Sequence, residues 1–221
     1  MDVVILVPWR GGDELREQSW EVVRPYLEAT GWPVYPGDRD GPWSRAAAIN
    51  AAAADAGSWD VAVVADADTI PPEDLVPATE AAYESGGGIR PHDHLVRLTP
   101  SGSIAIARKG IAGLEPRHIG HEFPGGGFLC ISREGWDRIG GYDERFIGWG
   151  HEDSDLNTRL ILKADWDIMP GVAYHLFHPD ETRRTREYMR NRQLLHRLRH
   201  DNARELAEIS RTKGYDVVSV L

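Results

Sequence analysis

Asp66 and Asp68 stand two residues apart just after Val61–Ala65, a continuous apolar run of strand length. Two carboxylates at that spacing, offered from a turn past a buried strand, can both approach one hard cation. Mg2+ and Mn2+ take oxygen ligands and keep positions for phosphate and water. Alone, a D-x-D pair reads equally well as a solvated acidic loop. A second constellation favours the cation. Gly148-Trp149-Gly150-His151-Glu152-Asp153 precedes a helical stretch; its glycines let the backbone approach a ligand closely, and Trp149 offers a flat face on which a sugar ring can stack. Complementing a helix dipole would account for Glu152 and Asp153, but not for the Gly-Trp-Gly before them.

Further ligands are expected downstream, in Ala173-Tyr174-His175-Leu176-Phe177-His178, because imidazole can complete a Mn2+ site. His175 and His178 are three apart, so in an extended segment they face opposite sides and only one is expected to bind. Arg10 and Arg45 are candidates of another kind, since an arginine at the end of a buried parallel strand needs a partner.

The elements that must position these residues alternate in the first half. Val3–Val7 reads as a strand, Asp13–Thr30 as a helix closed by Gly31, and Trp32–Tyr35 as a short strand. Ser44 caps a helix over Arg45–Ala56 that ends at Gly57, and Val61–Ala65 is a strand buried on both faces. Pro71-Pro72-Glu73 opens a helix to about Glu84. This βαβαβα order predicts an α/β fold with a parallel sheet between helices, whose ligands gather at the C-terminal strand ends. Pro8-Trp9-Arg10 and Asp66-Ala67-Asp68 lie at such ends.

In the second half, His94–Leu98 and Ser103–Ala107 read as a hairpin about Thr99–Gly102. Arg108–Pro124, rich in Gly, Pro and His, reads as a flexible loop and a candidate lid. Gly125–Ser132 is a glycine-led strand entering a helix at Arg133, and Glu152–Ala164 and Thr182–His200 are helices.

Composition bounds the classes. With 221 residues the chain suits one domain, perhaps extended by a C-terminal appendage. Its one cysteine, Cys130, cannot form an internal disulfide and is expected to be buried. The apolar start is too short for a signal-peptide core or a membrane span, so a cytoplasmic protein is expected. The net charge of −10 argues against a surface given over to nucleic acid. Yet between Arg183 and His200 there are seven arginines, two histidines and a single acid, Glu187.

Three segments in order, Gly125-Gly126-Gly127-Phe128, Gly140-Gly141-Tyr142-Asp143-Glu144-Arg145-Phe146 and Gly148-Trp149-Gly150-His151-Glu152-Asp153, resemble the C-terminal half of β-1,4-galactosyltransferases. Polypeptide N-acetylgalactosaminyltransferases share a looser form. Upstream, Pro8-Trp9-Arg10 is similar to that family's Pro-Phe-Arg, and Trp43-Ser44-Arg45-Ala46 to its Phe-Asn-Arg-Ala. The resemblance reaches from Val3 to about His178. It implies a GT-A fold, Rossmann-like, with a mixed, mainly parallel central sheet and flanking helices. It also implies a catalytic domain over 1–181, with a nucleotide-sugar half near 1–90 and an acceptor half near 91–181, followed by a basic helical appendage over 182–221.

The implied activity is metal-dependent transfer of a hexose or N-acetylhexosamine from a UDP-sugar to an acceptor hydroxyl. Pro8, Trp9, Arg10, Trp43 and Arg45 would form the nucleotide pocket, with Gly127 and Trp149 beside the sugar. Asp66 would contact metal and ribose, and Asp68 would bind Mn2+ (or Mg2+) directly. His175 sits where the polypeptide-modifying relatives place their ligand, whereas the galactosyltransferases supply a methionine as well as a histidine. Asp153 matches the family's general base, with Glu152 bonding the acceptor beside it, which implies inversion. The retaining relatives carry Asn where this chain has Asp153.

The acceptor is left open among a glycan, a protein and a hydroxymethylated DNA base. The Ala, Gly, Asp and Arg usage looks bacterial or phage-like. The basic stretch Arg183–Arg199 reads as a solvated helix, as arginines (Arg183, Arg184 or Arg186) closing over the donor diphosphate, or as a track for DNA phosphates. Two rivals stand beside this reading. A nucleotidyltransferase on the same scaffold lacks a glycine-rich phosphate loop after the first strand. A non-catalytic glycan-binding module would use the eight tryptophans but would not need a D-x-D with a W-G-x-E-D.

Overall fold

The computed structural model describes residues 1–123, 126–179 and 185–213. β1 (Val3–Pro8) is followed by α1 (Glu14–Glu28), whose N-cap Asp13 accepts from Arg16 N. β2 (Val34–Gly37) begins two residues later than the apolar pattern suggests and pairs parallel to β1. α2 (Arg45–Ala56) is capped by Ser44, which accepts from Ala47 N, and ends at Gly57. β3 (Val61–Ala65) runs parallel to β1 on its other side. The short β4 (Thr69–Ile70) follows, then α3 (Val76–Ser85). α3 starts after the expected Pro71-Pro72: Pro77, near the helix start, takes the first-turn place instead.

β5 (Gly88–Arg90) and β6 (His94–Leu98) come next. The expected hairpin after β6 is not formed. Thr99 accepts from Gly102 N and Pro100 opens α4 (Pro100–Lys109), so Ser103–Ala107 is helical. The Thr-Pro-Ser-Gly run is a helix cap, not a hairpin turn. The partner of β6 lies further on, in the stretch read as a loop: after two 3-10 turns, β7 (Ile119–Phe123) pairs antiparallel with it. β8 (Phe128–Ser132) enters α5 (Arg133–Ile139), and α6 (Glu152–Lys163), β9 (Trp166–Ile168) and β10 (Val172–His175) follow. α7 (Arg186–Asp201) and α8 (Ala203–Lys213) complete the described chain. Pro124 and Gly125, and residues 180–184 with Arg183 and Arg184, lie outside the described residues.

Six strands make the main sheet in the order β2-β1-β3-β8-β5-β9, with β8 antiparallel to its neighbours β3 and β5. Alternation along the central strands divides the core into two. Ile5, Val63 and Cys130 face α1 and α3, whereas Leu6, Val64 and Ile131 face α2, α5 and α6. Leu206 of α8 is buried in the second layer, so the C-terminal helices pack on the same core. Cys130 is fully buried, and burial pushes its thiol pKa up. A second sheet, β4-β10-β6-β7, stands beside the first. No described helix is long and apolar enough to cross a membrane.

Candidate functional site

β3 ends at Ala65, and the chain turns through Asp66 and Asp68 into β4. Gly127, at the head of the neighbouring β8, locks this turn: its N–H donates to Asp66 Oδ2 at 3.2 Å, and its carbonyl accepts from Asp66 N at 3.0 Å. Gly127 has φ +84°, and a Cβ there would lie 3.3 Å from His92 Nε2, so glycine suits both the backbone and the space.

The second sheet brings the histidines to Asp68. β10 pairs antiparallel with β4, setting His175 opposite Thr69, and Leu176 N donates to the Asp68 carbonyl at 2.8 Å. His175 Nε2 lies 3.6 Å from Asp68 Oδ1, and His178 Nε2 lies 3.5 Å from Asp68 Oδ2. The expectation that the two imidazoles face opposite sides fails, because β10 ends at His175 and the chain bends before His178. Their ring centroids are 4.9 Å apart. One ligand atom from each of Asp68, His175 and His178 lies within 4.8 Å of the others. One carboxylate and two imidazoles form a donor set that suits Mn2+ or another first-row divalent ion. Burial opposes ionisation of Asp68, but the two imidazoles and a hydrogen bond from Thr69 outweigh it and hold its pKa below the usual value.

Asp66 turns the other way. Arg45, in the first turn of α2, donates from Nε to Asp66 Oδ1 at 2.9 Å, and its Nη1 donates to Asp153 Oδ1. The two helix starts are joined by backbone: Gly148 N donates to the Trp43 carbonyl at 2.8 Å, and Ser44 Oγ to the Phe146 carbonyl at 2.8 Å. Arg45 thus ties the D-x-D turn to the start of α6. Tyr142 completes this cluster, its hydroxyl donating to Asp153 Oδ1 at 3.3 Å. Asp153 Oδ2 has no hydrogen-bond partner among the described residues. Glu152 is buried beside them, and burial followed by the nearby Asp153 raises its pKa from 4.5 to about 7.

The Gly148–Gly150 loop is held from outside by α7. Asn191 Nδ2 donates to the carbonyls of Ile147 and Gly150 at 3.0 and 3.1 Å. Tyr188 stacks on Trp149 at 5.5 Å, so one face of that indole is taken while the residue stays exposed at its edge. Of the remaining sequence candidates, Arg10 is committed to Asp38 and the Gly41 carbonyl and lies over the Trp43 ring at 5.3 Å. Pro8 is buried in β1, and Trp9 stacks on Trp20 at 5.7 Å.

Tyr142 is a site residue to which the sequence assigned no role, although it belongs to the Gly140–Phe146 motif. His178 was expected only as an alternative to His175, and it stands beside His175 where only one of the two was expected to bind. On the basic helix, Arg186, Arg190, Arg192 and Arg197 are exposed, whereas Arg199 reaches Thr158 on α6 at 3.5 Å.

A family model described as the N-terminal domain of galactosyltransferase matches residues 109–169. Among curated proteins none matches the chain in sequence. Two solved structures are similar across most of its length. One is Drosophila β1,4-galactosyltransferase 7, a mutant in complex with manganese, UDP-Gal and xylobiose: 19% identical, covering 86% of this chain and 79% of that one, TM-score 0.52. The other is the catalytic domain of the same Drosophila enzyme with xylobiose: 20% identical, with 86% and 79% covered and TM-score 0.52. The fold is that of the GT-A glycosyltransferases. The match of that galactosyltransferase family model to residues 109–169 agrees with the resemblance read from the sequence motifs.

Proposed function

We propose that this protein is a metal-dependent glycosyltransferase that moves a hexose or N-acetylhexosamine from a UDP-sugar to an acceptor hydroxyl with inversion. The observation that carries the reading is the pairing of two arrangements across the D-x-D turn: the Asp68–His175–His178 cluster on one side and the Arg45–Asp153–Glu152 cluster on the other. Asp68, His175 and His178 would hold the cation. A divalent ion bound there supplies Lewis-acid stabilisation of the departing diphosphate, worth several kcal/mol.

The chain's own residues do the rest. Arg45 and Tyr142 both hold Oδ1 of Asp153, which fixes the carboxylate and leaves Oδ2 to accept a proton. The acceptor hydroxyl gives its proton to Oδ2 as its oxygen bonds the anomeric carbon and the bond to UDP breaks. A single displacement inverts that carbon. Glu152, with a pKa of about 7, keeps a proton near neutrality and can donate a hydrogen bond to an acceptor oxygen. Arg45 also binds Asp66, which ties the turn that carries Asp68 to the helix that carries Asp153. The UDP would lie along the ends of β1 and β3, with Trp43 and the Arg10 backbone near its base and ribose.

The test is turnover of UDP-sugars with Mn2+, with the anomeric configuration of the product read by NMR. Inversion, lost with Asp153→Asn while UDP still binds, supports the reading. A retained configuration, or full activity in Asp153→Asn, removes Asp153 as the base.

A further inference from the structure

Arg90 is a cleft cation that forms no close ion pair among the described residues. It ends β5 and is 8% exposed. Its guanidinium donates from Nε to the His92 carbonyl at 3.1 Å and lies over the Trp166 ring at 5.7 Å. No carboxylate among the described residues reaches it within ion-pair distance. The nearest acid in sequence, Asp93, is half-exposed and accepts from Gly171 N at 3.0 Å. Burial lowers the pKa of Arg90, and the charge of Asp93 offsets this only in part. A buried guanidinium costs solvation that one carbonyl and one aromatic face return only in part.

The same residue lines a small, half-open cleft with Arg45, Gly127, Tyr142, Asp153 and Asn157. Arg45 is already saturated there by Asp66 and Asp153. A close carboxylate partner for the guanidinium is therefore expected to arrive with a ligand. None of Asp68, His175 or His178 lines this cleft, so the ligand anion is not the diphosphate held beside the cation. It belongs to what occupies the space in front of Asp153: the transferred sugar or the acceptor.

We infer that Arg90 is a specificity residue that binds a carboxylate carried by one of the two sugars that meet at Asp153, so that the protein handles an acidic sugar of the uronic type. A carboxylate offers two oxygens to the planar guanidinium fork, a match that neutral hydroxyls do not give. Without Arg90, a carboxylate in this cleft would meet Asp153 and an Arg45 already paired to Asp66 and Asp153, and would be disfavoured. The inference rests on the proposed function, because it takes the cleft at Asp153 as the place of reaction.

The experiment is calorimetric titration of wild type, Arg90→Met and Arg90→Lys. UDP with Mn2+ is titrated first; failure to bind would sink the proposed function, and this inference with it, by a signal of its own. One arm then compares glucuronate with glucose on the UDP- and Mn2+-saturated protein, and the other compares UDP-glucuronate with UDP-glucose. In wild type the carboxylated probe should bind about tenfold or more tightly in one arm, the scale of a hydrogen bond to a charged partner. The arm that shows it tells whether acceptor or donor carries the acid. Arg90→Met should erase the preference with UDP affinity unchanged. Should that variant not fold, Arg90→Lys, which keeps charge but loses the fork, should shrink it. Equal binding of neutral and acidic probes in both arms, with UDP binding intact, overturns the inference, and so does a preference that survives Arg90→Met.

Discussion

Glu152→Gln isolates the electrostatics of the cleft in a single titration. Glu152 is 7% exposed, and burial, followed by the nearby Asp153, raises its pKa from 4.5 to about 7. Below pH 4.5 the folded and unfolded states both hold the proton, and the side chain costs nothing by this route. As pH rises from 4.5 towards 7, the unfolded chain releases a proton that the folded chain keeps, so stability falls. Above about 7 both states are ionised and the loss becomes constant. The gap between the two values converts, at about 1.4 kcal/mol per pH unit, to a loss of about 3 kcal/mol. The glutamine variant has no such titration. Urea unfolding followed by tryptophan fluorescence at pH 5, 6, 7 and 8 reads the difference between the two proteins. The variant should gain on wild type by about 3 kcal/mol between the acid end and pH 8, with most of the change between pH 5 and 7. A difference that stays flat with pH, or a variant that loses ground as pH rises, would refute the burial argument.

Other outcomes follow from the same geometry. Arg45→Met leaves Asp66 and Asp153 without their shared cation, and should cost about 3 kcal/mol in urea unfolding at pH 7; a loss under about 1 kcal/mol would show that water already satisfies both acids. Gly150→Ala combines φ +97° with a Cβ 2.8 Å from the Tyr188 ring, and should destabilise by about 1–3 kcal/mol in a thermal melt, whereas an unchanged melt would mean that α7 does not press on the loop. His175→Ala and His178→Ala should each weaken Mn2+ affinity at least about tenfold, since loss of even an outer partner of a ligand does as much. Calorimetry showing that only one of them matters would return the site to a single histidine.

The first half of the fold was legible because its signals are local. Ser44 and Gly57 bracket α2 by cap chemistry, and the apolar runs Val3–Val7 and Val61–Ala65 announce buried parallel strands. The second half misled where a local signal has two meanings. Thr99-Pro100 serves a helix start as well as a turn, and β7 is recognisable only from its pairing with β6 across the sequence.

The D-x-D turn and the acids of α6 were visible as types and spacings. Their division of labour was not, because it depends on Arg45 pulling Asp66 away from Asp68. The expectation that only one of His175 and His178 binds rested on a strand periodicity that stops at His175, where β10 ends. Arg90 gave no signal in the sequence, because the three-residue β5 that it ends is too short to announce itself. Arg10 and Arg90 differ in tertiary partners, Asp38 for Arg10 and a carbonyl and an indole for Arg90.

Calorimetric titration of UDP with and without Mn2+, in wild type and Asp68→Ala, tests the central claim most directly. The account predicts UDP binding that requires Mn2+ and disappears in Asp68→Ala. UDP binding indifferent to the metal, or unchanged in Asp68→Ala, would contradict it.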